Sequence, residues 1–401
     1  MILKSFLSRI IDEQRALLFE KPVGTEREML SSLPELGSMA LIVSGIRRCG
    51  KSTLIRQYLK SKYPNALFLN FEDSRMYDFE QNDFLRLNEI IAERQIKTLF
   101  FDEIQVIKGW EIFVRQKLDE GFQIAITGSN ATLLSRELGT KLTGRHLSLE
   151  LFPFCFAEFC RNRNLEISLD SSEKYLKNGG FPEYLKEYND DILSTLFDDI
   201  LLRNIIVRYN ISDVRLIRRL AGYLISNIGK LLTGNKLRSY FEIKSTTTVL
   251  EYLSYMEDAY LFFLIPKFSY SVKKQSINPR KLYSVDTGMI FKNSLSFSND
   301  FGQVFENLVF MHYRRKFSEI YYFAEKNECD FVICNKNTVI EVVQVCYELS
   351  PDNLQRELNG LVEALNFFGL TEGKIITFRQ KDSFILDGKT LNALPFFELE
   401  Y

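Results

Sequence analysis

The chain has 401 residues, which is enough for two or three domains of ordinary size. Hydrophobic residues make up 46% and charged residues 26%, so the composition excludes a chain that is disordered over most of its length. The formal net charge is −1, from 51 basic and 52 acidic residues, which argues against a protein that coats polyanions with its whole surface.

Hydropathy and cysteine usage argue against two further classes, membrane-spanning proteins and proteins with a structural zinc site. Uninterrupted apolar runs stay short of the about 18 residues that a membrane helix needs, and charged residues interrupt the apolar N-terminus. The six cysteines form no CxxC pair and there are only two histidines, so a structural zinc site lacks ligands. We therefore expect a soluble protein with reduced thiols, located in the cytoplasm and without a membrane partner.

The first part of the chain predicts an α/β domain behind a short helical segment. Residues 1–38 are predicted to form a lead-in of helix, loop and helix. Helical stretches then alternate with short apolar runs, which lie at residues 39–44, 66–71, 98–101 and 123–127. Such alternation predicts a doubly wound parallel sheet, and we assign it to residues 39–152.

The second part of the chain predicts two smaller modules. Residues 153–281 are mostly helical in pattern, and an amphipathic helix beginning near Ser245 is followed by an apolar strand and a basic turn at Lys273 and Lys274. Three helices followed by such a wing predict a winged-helix module. Residues 282–401 alternate helices and strands again, which predicts a small α/β domain.

The strongest motif is a phosphate-binding loop. Residues 45–52 read GIRRCGKS and match G-x-x-x-x-G-K-[ST] at every fixed position, directly after a predicted buried strand and at the start of a predicted helix. In this context backbone N–H groups point at phosphate oxygens, the lysine bridges them and the serine hydroxyl ligates Mg²⁺. The predicted nucleotide-binding residues are Gly45, Ile46, Arg47, Arg48, Cys49, Gly50, Lys51, Ser52 and Thr53.

The expected acidic partner follows on the run TLFFDE. Asp102 is predicted to join Ser52 in holding the Mg²⁺ shell, and Glu103 is predicted to polarise the attacking water as a general base. The predicted cofactors are therefore ATP and Mg²⁺. A glutamate directly after the aspartate favours hydrolysis over simple nucleotide binding.

Three more polar positions follow, with alternatives left open. Ser129 or Asn130, at the end of the next strand, is predicted to orient the water or sense the γ-phosphate, and an ordinary asparagine turn is the alternative. Arg145 is predicted to act as an arginine finger toward a neighbouring subunit in a homo-oligomer. A structural salt bridge is the alternative role for Arg145, and Arg136 is the rival candidate for the finger.

These motifs resemble those of a known family. The segments GIRRCGKST, TLFFDEIQ, AITGSNATLL and LTGRHLSLELFPFCFAEF resemble the AAA-superfamily ATPases of bacteria and archaea. The C-terminal segments KLYSVDTGM, GQVFENLVF and ECDFVI are similar to those of members with a winged helix and a restriction-endonuclease-like domain. The resemblance implies a nucleotide site at Lys51, Ser52, Asp102 and Glu103.

The basic residues are concentrated in one segment. Residues 201–285 contain fourteen Lys and Arg and five Asp and Glu, a local balance of 14 − 5 = +9. A basic module within a neutral chain is typical of nucleic-acid binding, so DNA is a predicted partner. A solvated charged face, or a winged helix that binds protein, is the alternative.

The C-terminal domain carries a partial set of nuclease residues. Glu306 on a helix, Asp330 on a strand and Glu341 on the next strand could bind a cation, but metal-dependent nucleases of this type also need a lysine two residues after the last carboxylate. Neither the register of Glu341 nor that of Gln344 offers it, and Lys336 lies in a turn. We therefore predict a nuclease-like fold without cleavage activity.

Two functions remain open from sequence. The first is an ATPase whose hydrolysis drives a change in conformation or assembly, on DNA in one version. The second is a nucleotide-regulated binding switch or interaction module with little turnover. Glu103 beside Asp102 favours the first.

Overall fold

A computed structural model describes residues 1–131, 142, 144–296 and 300–400. The chain divides into two compact units, Met1–Phe152 and Pro153–Tyr401. Across the described residues, no helix is long and apolar enough to cross a membrane. All six cysteines are free thiols.

The first unit is built on a five-stranded parallel sheet with the order β2-β3-β4-β1-β5. Its strands are β1 (Ala40–Ser44), β2 (Leu67–Asn70), β3 (Thr98–Asp102), β4 (Gln123–Gly128) and β5 (His146–Glu150). The helices are α1 (Lys4–Glu20), α2 (Met29–Ser32), α3 (Lys51–Lys62), α4 (Asp83–Glu93) and α5 (Trp110–Asp119). Strand β1 is buried along its whole length, as expected for a central strand covered on both faces.

The lead-in predicted for residues 1–38 is part of this unit's core. Leu7, Ile10 and Ile11 of α1 are buried in the same hydrophobic cluster as Leu69 of β2 and Phe101 of β3. The apolar positions of α1 fall at helical spacing, so one face of the helix is covered by the sheet and by α4.

The second unit begins with helices and a small sheet. Its first helices are α6 (Phe156–Arg163), α7 (Leu169–Asn178), α8 (Tyr184–Glu187), α9 (Asp190–Asp199), a π-helical stretch (Ile200–Val207), α10 (Val214–Ile225), α11 (Gly234–Phe241) and α12 (Thr246–Asp258). Strands β6 (Leu231–Leu232), β7 (Phe262–Pro266) and β8 (Arg280–Ser284) form an antiparallel sheet with β8 in the middle. The domain limit predicted between residues 281 and 282 therefore falls inside a strand.

The predicted basic turn was wrong in its local structure. Lys273 and Lys274 lie in a short helix, α13 (Val272–Ile277), between β7 and β8. The Ser271 side chain accepts a hydrogen bond from the backbone N–H of Lys274, which caps this helix. The two lysines therefore project from a helical turn.

The rest of the second unit is a six-stranded mixed sheet with the order β13-β14-β12-β11-β10-β9. Its strands are β9 (Glu319–Ala324), β10 (Glu328–Asn335), β11 (Thr338–Cys346), β12 (Glu372–Thr377), β13 (Asp382–Leu386) and β14 (Lys389–Pro395). The helices are α14 (Thr287–Asn293), α15 (Phe301–Arg314) and α16 (Leu354–Phe368). Strands β13 and β14 pair antiparallel at the edge of the sheet opposite β9.

Candidate functional site

The phosphate-binding loop lies at the carboxyl end of β1. Gly50 has φ 103°, in the left-handed region that favours glycine, and α3 begins at the next residue. A Cβ at Gly45 would lie 2.0 Å from the backbone oxygen of Leu151, so a side chain cannot be placed there without moving the backbone. The two fixed glycines thus let the loop turn tightly against the backbone at Leu151.

Lys51 lies at the start of α3 and is only 4% exposed. Its ammonium donates to the backbone oxygens of Gly45 and Ile46, both at 3.1 Å, and lies 3.5 Å from Glu103 Oε1. Burial works to lower the pKa of Lys51, but the nearby carboxylates outweigh it and raise the pKa. The loop therefore holds a fixed positive charge beside its own backbone, where it can meet phosphate oxygens.

Asp102 ends β3 and is bound by two hydroxyl groups. Thr127 Oγ1 on β4 donates to it, and Ser52 at the start of α3 also forms a hydrogen bond with it. Burial and the adjacent Glu103 raise the pKa of Asp102 to about 6. A carboxylate and a hydroxyl at one point are oxygen ligands that suit Mg²⁺, so Asp102 and Ser52 fit the predicted role.

Glu103 follows immediately and faces different partners. Its backbone has φ 54°, an uncommon left-handed conformation for a non-glycine residue. Glu103 Oε2 accepts from the backbone N–H of Ser129 at 3.1 Å and from the side chain of Gln105. Burial works to raise the pKa of Glu103, but Lys51 and these hydrogen bonds outweigh it and lower the pKa.

The polar end of β4 contacts the two carboxylate residues, Asp102 and Glu103, through its backbone as well as its side chains. Ser129 meets Glu103 with its N–H group, and Asn130 is fully buried next to it. Thr127 bridges the two carboxylate residues, because its hydroxyl also accepts from the backbone N–H of Glu103 at 3.1 Å. The structure thus brings the end of β4 to Glu103, while a role of Asn130 toward water or phosphate stays a prediction.

The remaining loop residues have structural partners. Arg47 forms an ion pair with Glu72 at 2.9 Å, and Cys49 is buried with its Sγ 3.3 Å from the oxygen of Leu151. Ile46 is buried, Arg48 is exposed and Thr53 is half-buried on α3.

Arg145 precedes β5 and forms an ion pair with Asp119 at the end of α5, at 2.7 Å. This is the salt bridge that the sequence left open, and it lies within one copy of the chain. Action toward a neighbouring subunit stays a prediction, and the rival Arg136 falls outside the described residues.

Sequence reasoning missed the residue that supports the loop from behind. Arg27, only 2% exposed, donates to the backbone oxygen of Cys49 at 2.8 Å and to that of Phe152 at 2.7 Å. Its guanidinium therefore ties the loop to the segment after β5. The motif carries no signal for this contact, because Arg27 lies outside it by eighteen residues (45 − 27).

The predicted carboxylates of the C-terminal domain are only partly brought together. Glu306 and Asp330 converge, but Glu341 lies apart from them and pairs with Lys374 at 2.5 Å. Strand β11 offers no lysine at either register, as predicted, but Lys281 on β8 contacts both Glu306 and Asp330. This lysine comes from an earlier sheet, so the pattern of β11 carries no signal for it.

Comparison with known proteins agrees with the geometry of the first unit. Residues 37–160 match the model of an AAA domain, and residues 169–297 match that of a domain of unknown function. An uncharacterised protein of Methanocaldococcus jannaschii is 34% identical over 389 residues, covering 89% of this chain and 87% of that protein. An uncharacterised protein of Haemophilus influenzae is 33% identical over 339 residues, covering 78% of this chain and 83% of the relative.

An AAA domain is in general a P-loop domain that binds nucleotide, usually together with Mg²⁺. The presence of such a domain suggests ATPase activity. With the loop at Lys51 and the extent of these matches, the chain carries an AAA domain and belongs to the same family as these two uncharacterised relatives.

Proposed function

We propose that the chain is a Mg²⁺-dependent ATPase that couples hydrolysis to a change in its own conformation or assembly. The observation that carries this proposal is the different environment of two adjacent carboxylates, Asp102 and Glu103. Asp102 is bound by hydroxyl groups and its pKa is raised to about 6, whereas Glu103 faces Lys51 and its pKa is lowered. Opposite shifts in neighbouring groups are typical of divided roles in catalysis.

The loop supplies the phosphate-binding part. Backbone N–H groups at the N-terminus of α3 and the ammonium of Lys51 place positive charge at one point, which favours a triphosphate. Ser52 and Asp102 would hold Mg²⁺, which neutralises phosphate charge when bound. Ser52 is exposed, so a ligand can reach it from solvent.

Glu103 supplies the general base. Its lowered pKa keeps it ionised at neutral pH, and a carboxylate in that state can accept a proton from an attacking water. The hydrogen bonds from Ser129 and Gln105 fix the orientation of this carboxylate.

The partners belong to the same proposal. We place DNA contact in residues 201–285, where exposed Lys273 and Lys274 on α13 lie next to a three-helix and three-strand arrangement that supports a winged helix. Arg145 is proposed to act between subunits of a homo-oligomer. Free thiols at all six cysteines support a cytoplasmic location.

The test compares ATP hydrolysis by the wild type and the Glu103→Gln variant. We expect turnover to fall about 10²- to 10⁴-fold, because the base is lost, while nucleotide binding is retained. Glu93→Gln is the matched control, since Glu93 is an exposed glutamate of the same unit paired with Lys4, and it should hydrolyse ATP like the wild type. Equal hydrolysis by Glu103→Gln and the wild type would show that Glu103 is not the base.

A further inference from the structure

A cavity in the first unit adjoins the residues that we propose hold Mg²⁺. It has a volume of about 270 Å³, and Ser52 and Asp102 are on its wall together with Arg56 of α3 and residues of α1 and β2. Arg56 lies four residues after Ser52 on α3, so the two side chains are on the same face of the helix. The cavity therefore extends from the proposed magnesium site along the side of α3.

Arg56 brings a positive charge to this wall without a partner for it. The residue is half-buried, and its guanidinium forms no hydrogen bond or ion pair with any residue that the structure describes. Its Nε is fully buried, and burial alone lowers the pKa of Arg56, although the group stays charged at neutral pH. A half-buried charge of this kind carries a desolvation cost that a bound anion would offset.

Two further donors on the wall are unused. Asn70 ends β2, and its Oδ1 accepts from the backbone N–H of Glu72 at 2.8 Å, whereas its Nδ2 donates to none of the described residues. Lys21 directly follows α1 and is exposed, and in the described part of the chain its ammonium has no hydrogen bond or ion pair. Three side-chain donors from three elements thus line one cavity.

The acceptors on the same wall are already occupied. Asp73 accepts from the backbone and the guanidinium of Arg75 and, at 3.0 Å, from Gln14 Nε2. Gln14 Oε1 in turn accepts from the backbone N–H of Asn70 at 2.8 Å. Asp102 is bound by two hydroxyl groups. The wall therefore offers donors to a ligand, and such a ligand must be an acceptor.

The charges favour an anion as well. Lys21 and Arg56 give +2 on the wall, Asp73 and Asp102 give −2, and Arg75, which pairs with Asp73 at 2.7 Å, brings the balance to 3 − 2 = +1. Asp102 would also face Mg²⁺ in a loaded site, which removes its repulsion of an anion. Apolar side chains of α1 and β2 complete the wall, and a lower local dielectric strengthens the attraction between charges.

We propose that this cavity binds the phosphate ion released by ATP hydrolysis, through Arg56, Asn70 and Lys21, before the ion leaves the protein. The inference rests on the proposed ATPase function, which supplies this anion beside Ser52 and Asp102. The planar guanidinium of an arginine can donate two parallel hydrogen bonds to phosphate oxygens.

The size of the cavity favours free phosphate over a larger phosphate compound. Sites for ordinary small molecules have volumes of about 300–1,000 Å³, and this cavity lies just below that range. The chemistry that the donors recognise is a phosphate group, which a nucleotide also carries. We therefore expect inorganic phosphate to bind and a nucleoside monophosphate to be excluded.

Binding is tested without ATP, by equilibrium dialysis of radioactively labelled inorganic phosphate against the full chain with saturating Mg²⁺ and ADP, which occupies the phosphate-binding loop. We expect Arg56→Gln to weaken phosphate binding about 10- to 100-fold, because charge-assisted hydrogen bonds are lost. Arg115→Gln is the matched control, at an exposed arginine of the same unit, and should bind phosphate like the wild type.

Asn70→Asp is a second variant of the same shape. It keeps the oxygen that accepts from Glu72 and replaces the unused donor with a carboxylate that repels phosphate, so binding should weaken at least about 10-fold. If Arg56→Gln does not fold, as shown by loss of its cooperative thermal transition, Asn70→Asp decides the outcome.

The source of the phosphate group is tested by competition and by product inhibition. Unlabelled AMP should not displace the labelled phosphate. Added phosphate should inhibit ATP hydrolysis by the wild type, and Arg56→Gln should need about 10- to 100-fold more phosphate for the same inhibition while its KM for ATP stays unchanged.

Phosphate binding that is equal in the wild type, Arg56→Gln and Asn70→Asp would overturn the inference, and so would displacement by AMP at the concentration at which phosphate itself displaces the label. The inference and the ATPase proposal fail separately. Binding that depends on Arg56 in a chain that does not hydrolyse ATP would count against the ATPase, whereas hydrolysis with phosphate binding unaffected by Arg56→Gln would count against the phosphate site.

Discussion

Lys51 in the first unit and Lys281 in the second are both 4% exposed and lie beside carboxylates, but their surroundings differ. Lys51 in the first unit has one carboxylate in contact, Glu103 at 3.5 Å, and two backbone oxygens at 3.1 Å. Lys281 in the second unit has three carboxylates within 3.1 Å. Lys51 is therefore bound mainly by backbone oxygens of its loop, whereas Lys281 is bound by carboxylates.

This difference shows that burial of a lysine can serve two purposes. Lys51 can exchange its contacts with backbone oxygens for contacts with a phosphate, because its ammonium is a donor and phosphate oxygens are acceptors. Glu306 and Asp330 would lose their ion-pair partner in a largely buried place without Lys281, so its ammonium contributes to the stability of the folded structure.

The largest expected effect is on the stability of the second unit. We expect Lys281→Met to lower its opening free energy by about 3–5 kcal/mol, because removal of one partner leaves buried charge uncompensated. Lys51→Met should cost the first unit less, about 1–2 kcal/mol, because one ion pair and two hydrogen bonds to backbone oxygens are lost, compared with three ion pairs at Lys281. Hydrogen exchange measured on peptides of each unit gives both values.

Tyr283→Phe is the control for Lys281→Met. It removes one hydrogen bond to Glu306 and keeps all the charges, so we expect a loss of about 1 kcal/mol. If Lys51→Met destabilises its unit as much as Lys281→Met does, the distinction between the two lysines is wrong.

The next effect is the pH dependence of the unfolding free energy, part of which we assign to His312. Burial lowers the pKa of His312 to about 3, and in the unfolded chain it is about 6.5. The neutral native form is thus fully stabilising above pH 6.5, and this stability is lost as the pH falls toward 3. Between pH 6.5 and 5 the loss is about 2 kcal/mol, since each pKa unit corresponds to about 1.4 kcal/mol.

His312→Gln should abolish that part of the pH dependence, as measured by denaturant unfolding of both proteins at each pH. The carboxylates with raised pKa, Asp102 at about 6 and Glu306 at about 7, act in the opposite direction and are common to both proteins. Parallel curves for the variant and the wild type would contradict the assignment to His312.

The smallest expected effect on stability belongs to Arg145. Its ion pair with Asp119 is on the surface, so Arg145→Ala should change the unfolding free energy by less than about 1 kcal/mol. If Arg145 acts between subunits, ATP hydrolysis per subunit should rise with protein concentration in the wild type and stay low in the variant. Arg115→Ala, at an exposed arginine of α5, is the control and should behave like the wild type.

The convergence of the proposed nucleotide-site residues could be predicted from sequence because they lie in short, contiguous motifs. Lys51 and Ser52 follow the glycine loop, Asp102 ends β3 and Glu103 follows it, so strand order alone brings them together. The hydrogen bond from Arg27 to the backbone of the phosphate-binding loop could not be predicted, because a long-range contact from a loop has no periodic signal in the sequence.

The contacts of Lys281 show the same limit more clearly. Glu306 and Asp330 were identified as candidates, but Lys281 is 25 residues from one and 49 residues from the other in sequence. It was assigned to the end of a helical module, whereas the structure places it on the middle strand of a sheet. Contacts between distant elements depend on packing, which a hydropathy pattern does not encode.

The central claim, that the first unit hydrolyses ATP repeatedly, is tested most directly by counting phosphate released per chain with ATP in large excess, with and without duplex DNA. We predict many phosphates per chain over time in the wild type, and a higher rate with DNA. Release of no more than one phosphate per chain, unchanged by DNA, would contradict the claim and indicate a nucleotide-regulated switch.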